Sequence, residues 1–134
     1  MYWKANILVI ANRTVGSPEL LHALEARCER GPTAFTILAP TPRSEREDAQ
    51  AELETAVEAL RAAGLDADGR LGDVDPIVAV GELWNPADFD EVIVSTLPTQ
   101  ASKWLQIDLP HRVARITGAT VTHVVASARE PVLG

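Results

Sequence analysis

Apolar residues in this chain come in short blocks that alternate between two periods. Ala5-Asn6-Ile7-Leu8-Val9-Ile10-Ala11 is almost uninterrupted, the pattern of a strand covered on both faces. Ser17-Pro18-Glu19 then marks a helix start: serine caps, proline suits the first turn, and glutamate meets the positive end of the dipole. Leu21, Leu24 and Cys28 follow at helical spacing, and Gly31 stops the helix. Ala34 to Ala39 predicts a second strand, with Pro40 and Pro42 as a stiff loop after it. Ser44 opens a long amphipathic helix that ends at Gly64, with Ala49, Leu53, Ala56, Val57, Leu60 and Ala63 on one face. A weaker strand lies near Asp66 to Leu71. Asp75-Pro76 starts a short helix through Ile77, Val80 and Leu83 by the same cap-then-proline logic. Glu91 to Thr96 is a fourth strand, Asp108-Leu109-Pro110 opens a last helix closed by Gly118, and Thr120 to Ala126 is a fifth strand.

Five strands with helices between them predict an α/β fold: an open, doubly wound parallel five-stranded sheet with right-handed crossovers, spanning residues 1–134 as one domain. In such sheets ligands bind beyond the carboxyl ends of the strands, where the strand order reverses. Composition changes this picture little. The chain is 46% hydrophobic and 23% charged, ordinary for a globular protein. Its apolar runs are far shorter than a membrane span, and Met1-Tyr2-Trp3-Lys4 leads straight into the first strand with no signal-peptide pattern. A single cysteine allows no internal disulfide. A cytoplasmic location is therefore expected, with no membrane partner. Net charge is −7 and uneven: Ser44 to Ser95 holds fourteen acids against three arginines, whereas both end segments carry a small basic excess. That acidity argues against nucleic acid as a partner.

Two loops hold the candidate chemistry. The first, after strand one, carries Asn12, Arg13, Thr14, Gly16 and Ser17 ahead of a helix N-terminus, where free N–H groups favour an anion. The second, Ser95 to Asp108, clusters Ser95, Thr96, Lys103 and Trp104. Asn12, Arg13, Thr14, Ser95, Thr96 and Lys103 are the candidate ligand-binding residues, for a small anionic ligand. Trp104 and Leu105 have two readings, ligand contact or a short helical turn packed on the domain. As a cap, Asp108 would occupy the last helix's N–H groups and repel a phosphate, and Pro110 removes another donor. Cys28 reads as a core thiol. His22, His111 and His123 fall on different elements without ligand spacing. No catalytic residue and no metal site are assigned.

Two other doubly wound families fit poorly. A phosphoacceptor receiver domain needs an aspartate at the end of a central strand and an acidic pair near the first, where this chain has Asn6 and Asn12, and the loop Asn12 to Ser17 matches a flavodoxin phosphate loop only faintly. The chain resembles instead the universal stress protein family. Ile7 to Ser17 is similar to that family's opening strand and loop, with Asn12 where nucleotide-binding members carry aspartate. Gly72-Asp73-Val74-Asp75-Pro76-Ile77 resembles its entry to the third helix, and Asp90 to Val94 the strand leading to its nucleotide loop. The resemblance implies a stress-protein-like (adenine nucleotide alpha hydrolase-like) sheet of order 3-2-1-4-5. It also implies a homodimer through the fifth strand, with Val121, His123 and Val125 at the interface.

The family's ATP signature is glycine, two residues, glycine, nine residues, then glycine and serine or threonine. In the same register stand Ser95, Pro98, Asp108 and Leu109. The spacing survives and all four signature positions differ, so no cofactor is expected and ATP binding is doubtful. Three functional readings stay open: a non-catalytic homodimer that binds a small ligand or a protein, a nucleotide-binding stress protein with an altered phosphate loop, and a small flavodoxin-like flavoprotein.

Overall fold

The long apolar block beginning at Ala5 becomes the middle of the sheet, because a central strand is covered from both sides along most of its length; from Ala5 to Ile10, Asn6 alone is exposed. The computed structural model describes residues 4–98 and 103–126. In it β1 (Ala5–Ile10) lies between β2 (Thr33–Pro40) and β4 (Glu91–Thr96), with β3 (Asp66–Gly72) and β5 (Thr120–Val125) outside them. The order is 3-2-1-4-5 and all four pairings are parallel. Ile7, Leu8, Val9 and Ile10 are fully buried.

Alternation along the strands divides the core in two. Ile7, Val9, Phe35, Ile37 and Ile93 face one side, where α1 (Pro18–Cys28) contributes Leu20 and Leu24, and α2 (Arg46–Ala62) contributes Leu53, Val57 and Leu60. Leu8, Ile10, Leu38, Val92 and Val94 face the other, where α3 (Pro76–Leu83) contributes Ala79 and Val80, and α5 (Leu109–Thr117) contributes Leu109 and Val113. A single turn, α4 (Lys103–Gln106), precedes α5, and Trp104 packs against the second cluster. No helix among the described residues is long and apolar enough to cross a membrane.

The expected starts of α1 and α3 are present: Ser17 Oγ accepts from Leu20 N at 3.1 Å, and Asp75 Oδ1 accepts from Ile77 N at 2.9 Å. Three local expectations change. Pro40 is the last residue of β2 rather than loop, tolerated because its position lies beyond the last residue paired with β1. A 3-10 turn over Arg43–Glu45, closed by Glu45 N donating to Pro42 O at 3.0 Å, leads into α2, so Ser44 caps nothing. Ala63 is exposed beyond the end of that helix.

Candidate functional site

Strand order reverses between β1 and β4, so the chain leaves their carboxyl ends in opposite directions and opens a crevice there. Its volume is about 240 Å³, and it is lined by Asn12, Arg13, Thr14, Ser95, Thr96, Leu97, Lys103 and Trp104. All six residues singled out in the sequence meet here, although more than eighty positions separate the two loops. The floor is hydroxyl. Thr14 is 3% exposed, Ser95 and Thr96 are each 1% exposed, and Thr14 Oγ1 lies 2.7 Å from Ser95 Oγ. That hydrogen bond joins the loop after β1 to the end of β4.

The walls carry charge. Arg13 and Lys103 are exposed, and among the described residues neither enters an ion pair. Asn12 is oriented by its amide, which donates from Nδ2 to Pro40 O at 3.0 Å. Ser17 caps α1 as expected and does not line the crevice. Gly16 has no backbone requirement for glycine: its φ is not positive, and an added Cβ would meet nothing within 4 Å. Trp104 belongs to a helical turn packed on the domain, as one of its readings expected, and it also lines the crevice.

Asp108 departs from its expected role. Its backbone is left-handed and its side chain makes no cap hydrogen bond; Oδ1 instead pairs with His111 Nδ1 at 2.8 Å. Its carboxylate therefore does not occupy the N–H groups of α5, and it does not line the crevice. His123 has a contact that the sequence did not display. Thr96 Oγ1 lies 2.7 Å from its Nε2, so its ring reaches back from the outer strand to the crevice floor. Desolvation holds the His123 pKa below its ordinary value. Cys28 is half-buried against the first core cluster, and burial pushes its thiol pKa up.

A second hollow of about 190 Å³ lies on the other side of Asn12 and Arg13, toward α2, lined also by Val15, Thr41, Glu52 and Ala56 among others. It flanks β2 rather than the reversal point, so the rule that located the first crevice could not find it. Among the described residues no group of three or more histidine, cysteine, aspartate or glutamate side chains is arranged to hold a metal ion.

A parallel sheet of this order, with its crevice at the reversal point, defines a doubly wound α/β fold. Comparison with solved structures sharpens it. A universal stress protein in complex with cAMP superposes with a TM-score of 0.65 at 21% identity, over 92% of this chain and 98% of that one. The universal stress protein from Archaeoglobus fulgidus in complex with dAMP gives 0.58 at 16% identity, over 92% and 99%. A further structure of universal stress protein from Archaeoglobus fulgidus gives 0.59 at 15% identity, over 91% and 98%. No protein-family model and no curated protein sequence matches the chain. The chain has the fold of the universal stress proteins, along nearly its whole length.

Proposed function

We propose that this chain is a non-catalytic binding domain whose crevice takes a small anionic ligand of the nucleoside monophosphate class. The observation that carries the reading is the convergence of Arg13, Lys103 and three buried hydroxyls at the reversal point of the sheet, with Trp104 offering an aromatic wall. Two cations suit a phosphate, and hydroxyls can donate to its oxygens. Two proteins of the same fold have structures in complex with cAMP and dAMP, which supports a ligand of that size. Among the described residues Ser95 hydrogen-bonds to Thr14 rather than to a base, which supports binding over catalysis.

ATP fits this reading less well. Where the family signature has glycines, Ser95 brings a side chain that fills the floor, and Pro98 has no N–H to offer a phosphate. Calorimetry against AMP, cAMP and ATP tests the proposal. Monophosphates should bind, ATP should bind more weakly, and Arg13→Ala and Lys103→Ala should each weaken the monophosphate about tenfold, in keeping with charge-assisted hydrogen bonds. Wild-type affinity retained in both variants would place the ligand elsewhere.

The proposal includes a homodimer through β5. That strand pairs with β4 on one side, Val125 is 50% exposed, and Thr120 to Val125 holds no proline or lysine to blunt an edge.

A further inference from the structure

Thr96 has one hydroxyl proton, and two acceptors compete for it: a ligand in the crevice and Nε2 of His123, 2.7 Å away. A ring nitrogen without a proton takes the one on Thr96. A ring nitrogen that carries a proton donates it to Thr96 Oγ1 and leaves the hydroxyl proton free to turn elsewhere. An anion only accepts hydrogen bonds, so it needs that proton turned toward it. We propose that His123 is a positioning residue that sets the direction of the Thr96 hydroxyl, so that anion binding in the crevice draws a proton onto His123 and tightens as pH falls. This rests on the crevice being the ligand site.

The geometry suits the role. Thr96 is 1% exposed, so its hydroxyl has few partners to choose from. Thr96 O also accepts from Ala126 N at 2.8 Å, which holds the end of β5 beside it. A neutral ring can reach the same arrangement as its Nε2–H tautomer, but only the imidazolium is locked into it, and it adds a positive charge. Desolvation lowers the ring's pKa in the free protein, which favours the neutral ring there.

Other charged groups around β5 do not supply the same signal. Val121 packs with the second core cluster and Val124 with the first, so alternation puts His123 on the α5 face. Helix α5 brings His111, Arg112 and Arg115. Helix α1, across the sheet, brings Glu19, His22, Glu25 and Arg27. Strand β4 carries Glu91, paired with Thr120 at the opposite end. Arg13 and Lys103 line the crevice itself. His111 is tied to Asp108 and does not line the crevice, which makes it the control.

Cyclic AMP is the appropriate probe, because a phosphodiester keeps one charge across the histidine range. Calorimetry between about pH 5.5 and pH 8 should show roughly tenfold tighter binding at the acid end, the effect of a one-unit rise in the His123 pKa on binding. His123→Leu and Thr96→Val should flatten the profile, and His111→Gln should leave it unchanged. Nuclear magnetic resonance titration of the wild-type His123 ring, which needs no variant, should show a higher pKa with cyclic AMP bound. A flat wild-type profile, an unchanged profile in His123→Leu, or an unmoved His123 pKa would each overturn the coupling. If Arg13→Ala still weakened binding in those cases, the crevice would stand without it. Absence of cyclic AMP binding at every pH would overturn both.

Discussion

Asp108 stands at φ 55, ψ 48, the chain's one positive-φ residue other than glycine among those described. That conformation costs an L residue roughly 1–2 kcal/mol and glycine nothing comparable. In the register of the resemblance, it is also a position where the stress-protein signature has glycine. An aspartate tolerates the left-handed region better than most residues. Asp108→Gly should therefore be more stable than Asp108→Ala by about 1 kcal/mol, read from urea midpoints at equal slope. Equal midpoints would mean that the backbone relaxes out of this conformation at little cost. Reading Asp108 as a cap from the sequence failed for a physical reason. Aspartate before a leucine-proline pair is the ordinary cap pattern, but capping needs extended backbone at that residue, and only the folded chain reveals that it is left-handed.

Pairs of elements are held by contacts that no local pattern displays. Arg27 near the end of α1 makes a two-pronged ion pair with Glu91 at the start of β4, with Nη2 to Oε2 at 2.7 Å and Nε to both oxygens at 3.2 Å. The two side chains are only 14% and 21% exposed, and the Glu91 carboxylate raises the Arg27 pKa. Arg27→Ala strands a half-buried carboxylate and should cost about 2–3 kcal/mol in chemical unfolding; Glu91→Gln in the same background should recover part of the loss. Recovery of nothing would show that Arg27 matters through packing alone. Strand β3 shows a second hidden constraint. A Cβ on Gly72 would lie 2.8 Å from Leu38 Cδ1 and 2.9 Å from Ala79 Cβ, so β3 and α3 approach closely only because this residue has none. Gly72→Ala should destabilise by about 1–3 kcal/mol, as overpacking does. Gly16→Ala, with open space around it, should change stability by less than about 0.5 kcal/mol in the same assay.

For the whole molecule, the outer strand β5 bears on assembly. An exposed, β-branched edge is a template for pairing with another chain. If β5 joins two copies, sedimentation at micromolar concentration should give a mass near twice the 14.4 kDa chain, and Val125→Lys should shift it toward the single-chain value. A wild-type species at 14.4 kDa alone would refute the dimer. A double-sized species unmoved by Val125→Lys would place the contact on another surface.

The order of elements, the central place of the Ala5 block, and the starts of α1 and α3 were all readable in the sequence. They rest on burial from both faces and on capping, and both act within a few residues. The location of the main crevice was readable too, because parallel connectivity and strand reversal confine it to the loops after β1 and β4. Other features waited for the fold. The sequence shows neither the 2.7 Å meeting of Thr14 with Ser95 nor that of Thr96 with His123. Each depends on strand register and on side chains brought together across the sheet. The weak third strand has the same explanation: its glycines lower local strand preference, and its place against Leu38, Leu53 and Ala79 exists only once α2 and α3 have packed on the sheet.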